Sequence, residues 1–512
     1  MPTTRTAGIL LHPVSLPGSK DIGELGRYAY EFVDFLASSG SSLWQILPLG
    51  PTSYGNSPYT ALSSFAGNPL LIALDKLADE GWLSADAVET EKEPTARVDY
   101  EAAYARKQPL LRRAAEAFLD KAGVHERREF EEFSSREAYW LDDYALYISI
   151  KAYYDRLAEK RGAQDSMWNR FWPRELALRE PEALETWRRE HAREIEREKV
   201  LQFFFHRQWH ALKKYANERD ISIFGDIPIF VALDSADVWA HRELFQLDEN
   251  GRPQAVAGVP PDYFSATGQR WGNPLFRWEA HREEGFAWWI SRLKKSLEMT
   301  DMVRIDHFRG FQAYWRIPVT SETATDGEWV TSPGREFFRK VRKELDELPV
   351  VAEDLGVITP EVLALRDEFG LPGMKVLQFA FGLNGEGRLD AENYFLPHNH
   401  ERNAVVYTGT HDNDTTPGWY AARSEAERDA IRRYLARGDH EVPWELVRQA
   451  YASVARHAVI PMQDLLGLGS EARMNTPSTV GGNWSWRVAE NRLTAELSSR
   501  LREMGQLYGR SR

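Results

Sequence analysis

Hydrophobic residues along this chain follow two recurring patterns. Eight short runs are almost continuously apolar and stop at Gly, Pro or a polar residue: Gly8–His12, Ser42–Leu47, Ile221–Phe230, Met302–Asp306, Leu348–Asp354, Met374–Phe381, Ala404–Thr410 and Val459–Asp464. Runs of this length without polar alternation predict strands buried on both faces, as in a parallel sheet. Between them, apolar residues recur at helical spacing. Ile22, Leu25, Ala29, Phe32 and Leu36 form one stripe, with Asp21 and Glu24 placed as a capping box. Phe205, Trp209 and Leu212 repeat the spacing ahead of the third run. Alternating strand and helix predicts an α/β fold. Eight strands predict a closed (β/α)8 TIM barrel, with a doubly wound open sheet as the alternative.

The runs are unevenly spaced. About 170 residues separate the second from the third, far more than one helix requires. The intervening stretch, residues 69–200, is rich in Glu, Arg and Ala and predicts a mostly helical inserted subdomain. Its mixed-charge segment 185–199 reads as a solvated helix face. A second insertion, 234–278, is full of Pro, Gly and aromatic residues and reads as loop-rich. The whole chain, 1–512, is expected to form one catalytic barrel carrying these insertions.

Composition narrows the partners. A net charge of −13 opposes phosphate backbones, so no nucleic-acid partner is expected. With no cysteine there is no disulfide and no thiol nucleophile, which fits a reducing compartment. The apolar run Gly8–Leu11 is too short for a signal peptide. No run approaches the ~20 apolar residues of a membrane span. The expected setting is therefore cytoplasmic, without membrane contact. The 18 tryptophans offer flat apolar faces suited to sugar rings, although core packing accounts for most of them.

In a barrel of this kind the chemistry sits where strands end. Several predicted strands end on acids: Asp226, Asp306, the pair Glu353 and Asp354, and Asp412. Carboxylates converging on one rim are forced together, which spreads their pKa values and sets up separate acid and nucleophile roles. Arg304 and Asp306 are two apart on one predicted strand and share a face, so the guanidinium can hold Asp306 ionised. Asp306 and Glu353 end consecutive predicted strands. Neighbouring strands lie ~4.8 Å apart, so the ~5–5.5 Å carboxyl separation of a retaining glycosidase is within reach. Glu353, beside two aspartates, would stay protonated and act as an acid. The same acids would also suit a divalent cation, as in barrels that enolise sugars, and spacing leaves both readings open.

At these residues the sequence resembles the amylomaltase family, the 4-α-glucanotransferase branch of the α-amylase superfamily. The resemblance runs through Leu47–Tyr59, Gly225–Val231, Gly258–Pro274, Arg304–Gly310, Ala352–Gly356, Gly373–Phe379, Thr410–Asp414 and Met474–Thr479. It implies a retaining transfer of a segment of an α-1,4-glucan to a 4-hydroxyl of another glucan or of glucose. Asp306 would be the nucleophile, Glu353 the acid and then the base, and Asp412 the stabiliser of the distorted sugar. Arg304 would orient Asp306. His411, His307, Tyr59, Ser57, Asp226 and Asn475 would contact sugar hydroxyls. Residues 258–274 would form a lid, with Tyr263 and Phe264 as stacking platforms, and Tyr54 would serve a secondary glucan site. The expected partners are α-1,4-glucans, maltodextrins and glucose, with no metal and no cofactor. An α-glucan hydrolase shares the triad, and a non-catalytic glucan-binding protein is the alternative of another class. The pair His398 and His400 is too small a set to predict a metal site.

Overall fold

The computed structural model describes residues 5–18, 20–88, 95–261, 265–345, 347–479 and 481–511. Eight parallel strands form one sheet: β1 Thr6–Leu10, β2 Leu43–Gln45, β3 Ser222–Pro228, β4 Met302–Asp306, β5 Val350–Ala352, β6 Gly373–Val376, β7 Ala404–Tyr407 and β8 His457–Pro461. Each pairs with its sequence neighbour in this set, and β1 also pairs with β8, from Thr6↔His457 to Leu10↔Pro461. The Ala352 amide donates to the Pro372 carbonyl at 2.8 Å, which joins the remaining edges, β5 and β6. The sheet is thus a TIM barrel and not an open sheet. Its strands are apolar on both faces because both are covered: Ile9, Trp44, Ile223, Val303, Val351, Val405 and Val459 are all buried.

Each of the eight apolar runs contains a strand, and the differences lie at their ends. The seventh stops at Tyr407, three residues short of Thr410. The last begins two residues early, at His457, and passes into a helical turn, Met462–Leu465, that carries Asp464. The first helix starts at Arg27, not at Ile22, after Gly26 with no side-chain cap. Asp21 and Glu24 form no capping box. They accept from Arg106 at 2.6 Å and Lys107 at 2.7 Å, which come from the segment between β2 and β3. A long-range ion pair has replaced a local cap.

Between β2 and β3 lie the long helices Tyr100–Lys121, Val124–Arg161 and Ala192–Asn217. Phe118, Phe130, Phe133, Phe203 and Phe204 interlock among them at centroid separations of 5.5–5.8 Å. The span after β3 is more ordered than its Pro and Gly content suggested. Ala255–Val259 and Gln269–Pro274 pair antiparallel and continue through Ala313–Pro318 to Glu328–Thr331 as a four-stranded sheet. Among the described residues no helix is long and apolar enough to cross a membrane.

Candidate active site

The site grows out of the register of three adjacent strands. Pairing of β3 with β4 sets Asp226 opposite Arg304. Directly paired residues share a face, so the Arg304 Nε reaches the Asp226 Oδ2 at 2.8 Å. Asp306, two residues further along β4, lies on the same face, and its Oδ1 accepts from the Arg304 Nη2 at 2.8 Å. Tyr59 closes the group: its hydroxyl donates to the Asp226 Oδ2 at 2.9 Å and accepts from Arg304 at 3.2 Å. Burial opposes the Arg304 cation, but Asp226 and Asp306 outweigh it and hold the guanidinium well above its ordinary range.

Pairing of β4 with β5 puts Ile305 beside Ala352, so the next residues, Asp306 and Glu353, follow side by side. The Glu353 amide donates to the Ile305 carbonyl at 3.1 Å. The Glu353 carboxyl accepts from the amides of His307 at 2.7 Å and Leu355 at 2.8 Å. His307 achieves this in the left-handed region, φ 53°, a conformation that costs a non-glycine residue roughly 1–2 kcal/mol. Burial first, then the charge of Asp306, push Glu353 up to about 8, against Arg304 and the two amides. These surroundings favour the protonated carboxyl of Glu353 over its carboxylate. Asp354 does not contribute to this as the sequence suggested. Side chains alternate along a strand, and Asp354 turns outward to Arg366 at 2.6 Å and the Met374 amide at 2.7 Å.

Asp412 comes from the loop after β7. Its Oδ1 accepts from Asn475 Nδ2 at 2.6 Å and lies 3.4 Å from His411 Nε2. Arg473 fixes both partners, donating to the Asp412 carbonyl at 2.6 Å and the Asn475 carbonyl at 2.7 Å. The His411 ring stacks on Tyr59, 5.0 Å between centroids at 16°, which joins the Asp412 loop to the Arg304 group. Burial lowers the pKa of His411, and it lowers His307 to about 3 with help from Arg309. Both rings are thus neutral, each with one donor and one acceptor nitrogen. The His307 Nε2 is buried without a protein partner, and Trp271 meets the His307 ring edge-on at 4.8 Å.

Asp306 and Asp412 face outward, with side chains 32% and 45% exposed. Asp226 does not: its side chain is 0% exposed, so it supports Arg304 and cannot be the sugar contact expected of it. Burial, reinforced by Asp306 against Arg304, pushes Asp226 up to about 7. Ser57 accepts from the Tyr59 amide at 3.2 Å and shapes the turn, without a bond to the carboxylates. Tyr263, Phe264 and the Tyr54 side chain lie outside what the structure describes. His398 and His400 are each held through both ring nitrogens by Tyr434, Ala391, Ser453 and Phe395. Among the described residues no three His, Asp or Glu side chains group as metal ligands would. Sequence reasoning passed over Trp271 and Trp484. Trp271 lies within Gly258–Pro274 as an aromatic among polar residues. Trp484, tilted against Tyr59 and His411 at 5.8 and 5.9 Å, gave no local signal.

Comparison with known proteins matches nearly the whole chain. The family model described as 4-alpha-glucanotransferase matches residues 11–494. The chain is 52% identical to a 4-alpha-glucanotransferase of Thermus thermophilus, over 99% of each chain. It is 51% identical to one from Synechocystis sp., over 99% of this chain and 98% of the relative. The fold superposes with a TM-score of 0.93 on amylomaltase from Streptococcus agalactiae in complex with acarbose, at 38% identity, covering 99% of this chain and 100% of that one. The chain, matched over nearly its whole length by the family model and by these relatives, belongs to the 4-alpha-glucanotransferase family.

Proposed function

We propose that this enzyme transfers α-1,4-glucan segments by double displacement, with retention of the α-configuration. The observation that carries this reading is that Asp306, bound by the Arg304 guanidinium, and Glu353, held by the His307 and Leu355 amides, close two adjoining strands side by side. Glu353 gives its proton to the departing glycosidic oxygen while the Asp306 carboxylate attacks the anomeric carbon, forming a glucosyl ester. Glu353, now the base, then takes the proton of an incoming 4-hydroxyl, whose oxygen displaces Asp306 and restores its charge. Two inversions at one carbon return the original configuration.

Asp412, braced by Asn475 and Arg473, accepts from hydroxyls of the distorted sugar and stabilises positive charge at its ring. Neutral His307 and His411 hydrogen-bond further hydroxyls. Asp226 and Tyr59 hold Arg304 in place from behind. The 258–274 segment, whose Trp271 rests on His307, serves as a lid that keeps water from the ester until a glucan acceptor arrives. Donors are maltodextrins and longer α-1,4-glucans, and acceptors include glucose.

Incubation with maltotriose tests this reading. Transfer yields a ladder of shorter and longer oligosaccharides at nearly constant reducing-end concentration. A steady rise in reducing ends assigns the same triad to hydrolysis instead, and binding without turnover assigns the chain to glucan capture alone.

A further inference from the structure

Most aromatic rings of this molecule are packed away, but Trp329 keeps 39% of its surface open. It lies on Glu328–Thr331, the outer strand of the antiparallel sheet. One face of its ring is held by a cation while much of the side chain stays exposed. The Arg309 guanidinium lies 3.6 Å from the ring centroid, and Trp315 meets the ring edge-on at 5.1 Å. Trp315 has its own partners, the Ala324 carbonyl at 2.9 Å and the apolar side chains of Val256 and Ile317. The sheet does not need Trp329 to fill its core.

The ring is fastened to the two loops that carry the proposed nucleophile and acid. Arg309 stands three residues beyond Asp306, a stretch of chain that spans at most ~11 Å. The same guanidinium donates to the carbonyl of Val357, four residues beyond Glu353. Between Glu353 and this point the surface is open and low. Gly356, at φ +84°, has nothing within 4 Å of the place a Cβ would occupy. Val357 is exposed, and so is Thr331, which shares the face of Trp329 two residues along the strand and adds a hydroxyl.

Resting on the glucanotransferase reading above, we propose that Trp329, reached across Gly356 and Val357, is a remote stacking platform for long α-1,4-glucan chains. The apolar face of a sugar ring lies on the indole several units from the bond being cleaved. The proposal places the indole beyond the sugar units that a bound maltotriose occupies. The platform adds affinity for polymer and leaves the chemistry at Asp306 and Glu353 unchanged.

The test compares long amylose with maltotriose in Trp329→Ala, Trp329→Phe and Val357→Glu. Trp329→Ala is expected to lower kcat/KM on amylose roughly three- to tenfold through KM, with maltotriose kcat/KM changed by less than about twofold. Trp329→Phe recovers most of the loss. Val357→Glu crowds the approach while leaving in place the backbone carbonyl that Arg309 contacts, and gives the same split. Retardation of the folded protein in native gels containing amylose should weaken in parallel. Unchanged amylose kinetics and retardation would overturn the proposal. An equal fall on both substrates would also overturn it, because the ring would then only prop Arg309 beside the acid. If the wild type hydrolyses maltotriose instead of extending it, the transfer reading fails, while the gel retardation still decides the platform.

Discussion

Two of the buried groups of charged side chains in this molecule differ in how their charges balance. One joins the helix Val124–Arg161 to the barrel helix Ala287–Met299. There Lys295 lies between Glu137 at 2.8 Å and Glu298 at 3.0 Å, Arg136 adds a bond to Glu137 at 3.0 Å, and His210 sits 3.3 Å from Glu298. Burial would raise Glu298, but His210 and Lys295 hold it at about 2. The other group is the barrel rim, where a single guanidinium serves Asp226 and Asp306 while Glu353 stands beside them on backbone amides. There burial and Asp306 push Glu353 up to about 8. Acids matched by cations make a seam. Acids in surplus keep a proton where ordinary carboxyls lose it, and that proton is what the chemistry uses.

The comparison can be broken by removing charge from each side. Asp306→Asn removes the nucleophile and is expected to cut maltotriose transfer by roughly 10⁴-fold or more, with a circular-dichroism melt no lower than the wild type. Near-normal activity would end the distinction between the two groups. Glu353→Gln should lose roughly 10²–10⁴-fold on maltotriose but far less on an α-glycosyl fluoride, whose leaving group needs no proton. Equal losses on both donors would deny it the role of acid.

On the balanced side, Glu137→Gln leaves Lys295 with Glu298 as its one carboxylate. Urea unfolding should show a loss of roughly 3–5 kcal/mol, with kcat/KM of the folded enzyme unchanged within about twofold. A large kinetic effect would make the seam part of the site. The smallest effect is the pH limb. Raising pH strips the proton that Glu353 must donate, so kcat/KM should hold below about 8 and fall about tenfold per pH unit above it. A descending limb in the ordinary carboxyl range would remove the surplus-charge argument.

The strands and the acids at their ends were legible because both depend on local pattern. Parallel strands need continuous apolar runs, and the rim collects whatever polar residue ends them. Asp306 and Arg304 could be paired from a spacing of two alone. What escaped was fixed at long range. Asp21 and Glu24 have the spacing of a cap, yet Arg106 and Lys107 claim them. Asp354 looked like a second rim acid, yet alternation hands it to Arg366. Asp226 lies inside its apolar run, four residues before the end, and the neighbouring register buries it under Arg304. The antiparallel sheet was hidden because its strands carry Gly and Pro and its partners lie up to about 60 residues apart in sequence. The stacking of Tyr59, His411 and Trp484 draws on three distant segments and leaves no trace in any one of them.

The ester on Asp306 can be sought directly by intact-protein and peptide mass spectrometry of Glu353→Gln treated with an α-glycosyl fluoride. The fluoride departs without acid help, and the missing base slows turnover of the product. The double-displacement account predicts a protein heavier by one glycosyl unit, with the added mass on the peptide carrying Asp306. Rapid fluoride release with no adduct, or an adduct on any other residue, would contradict it.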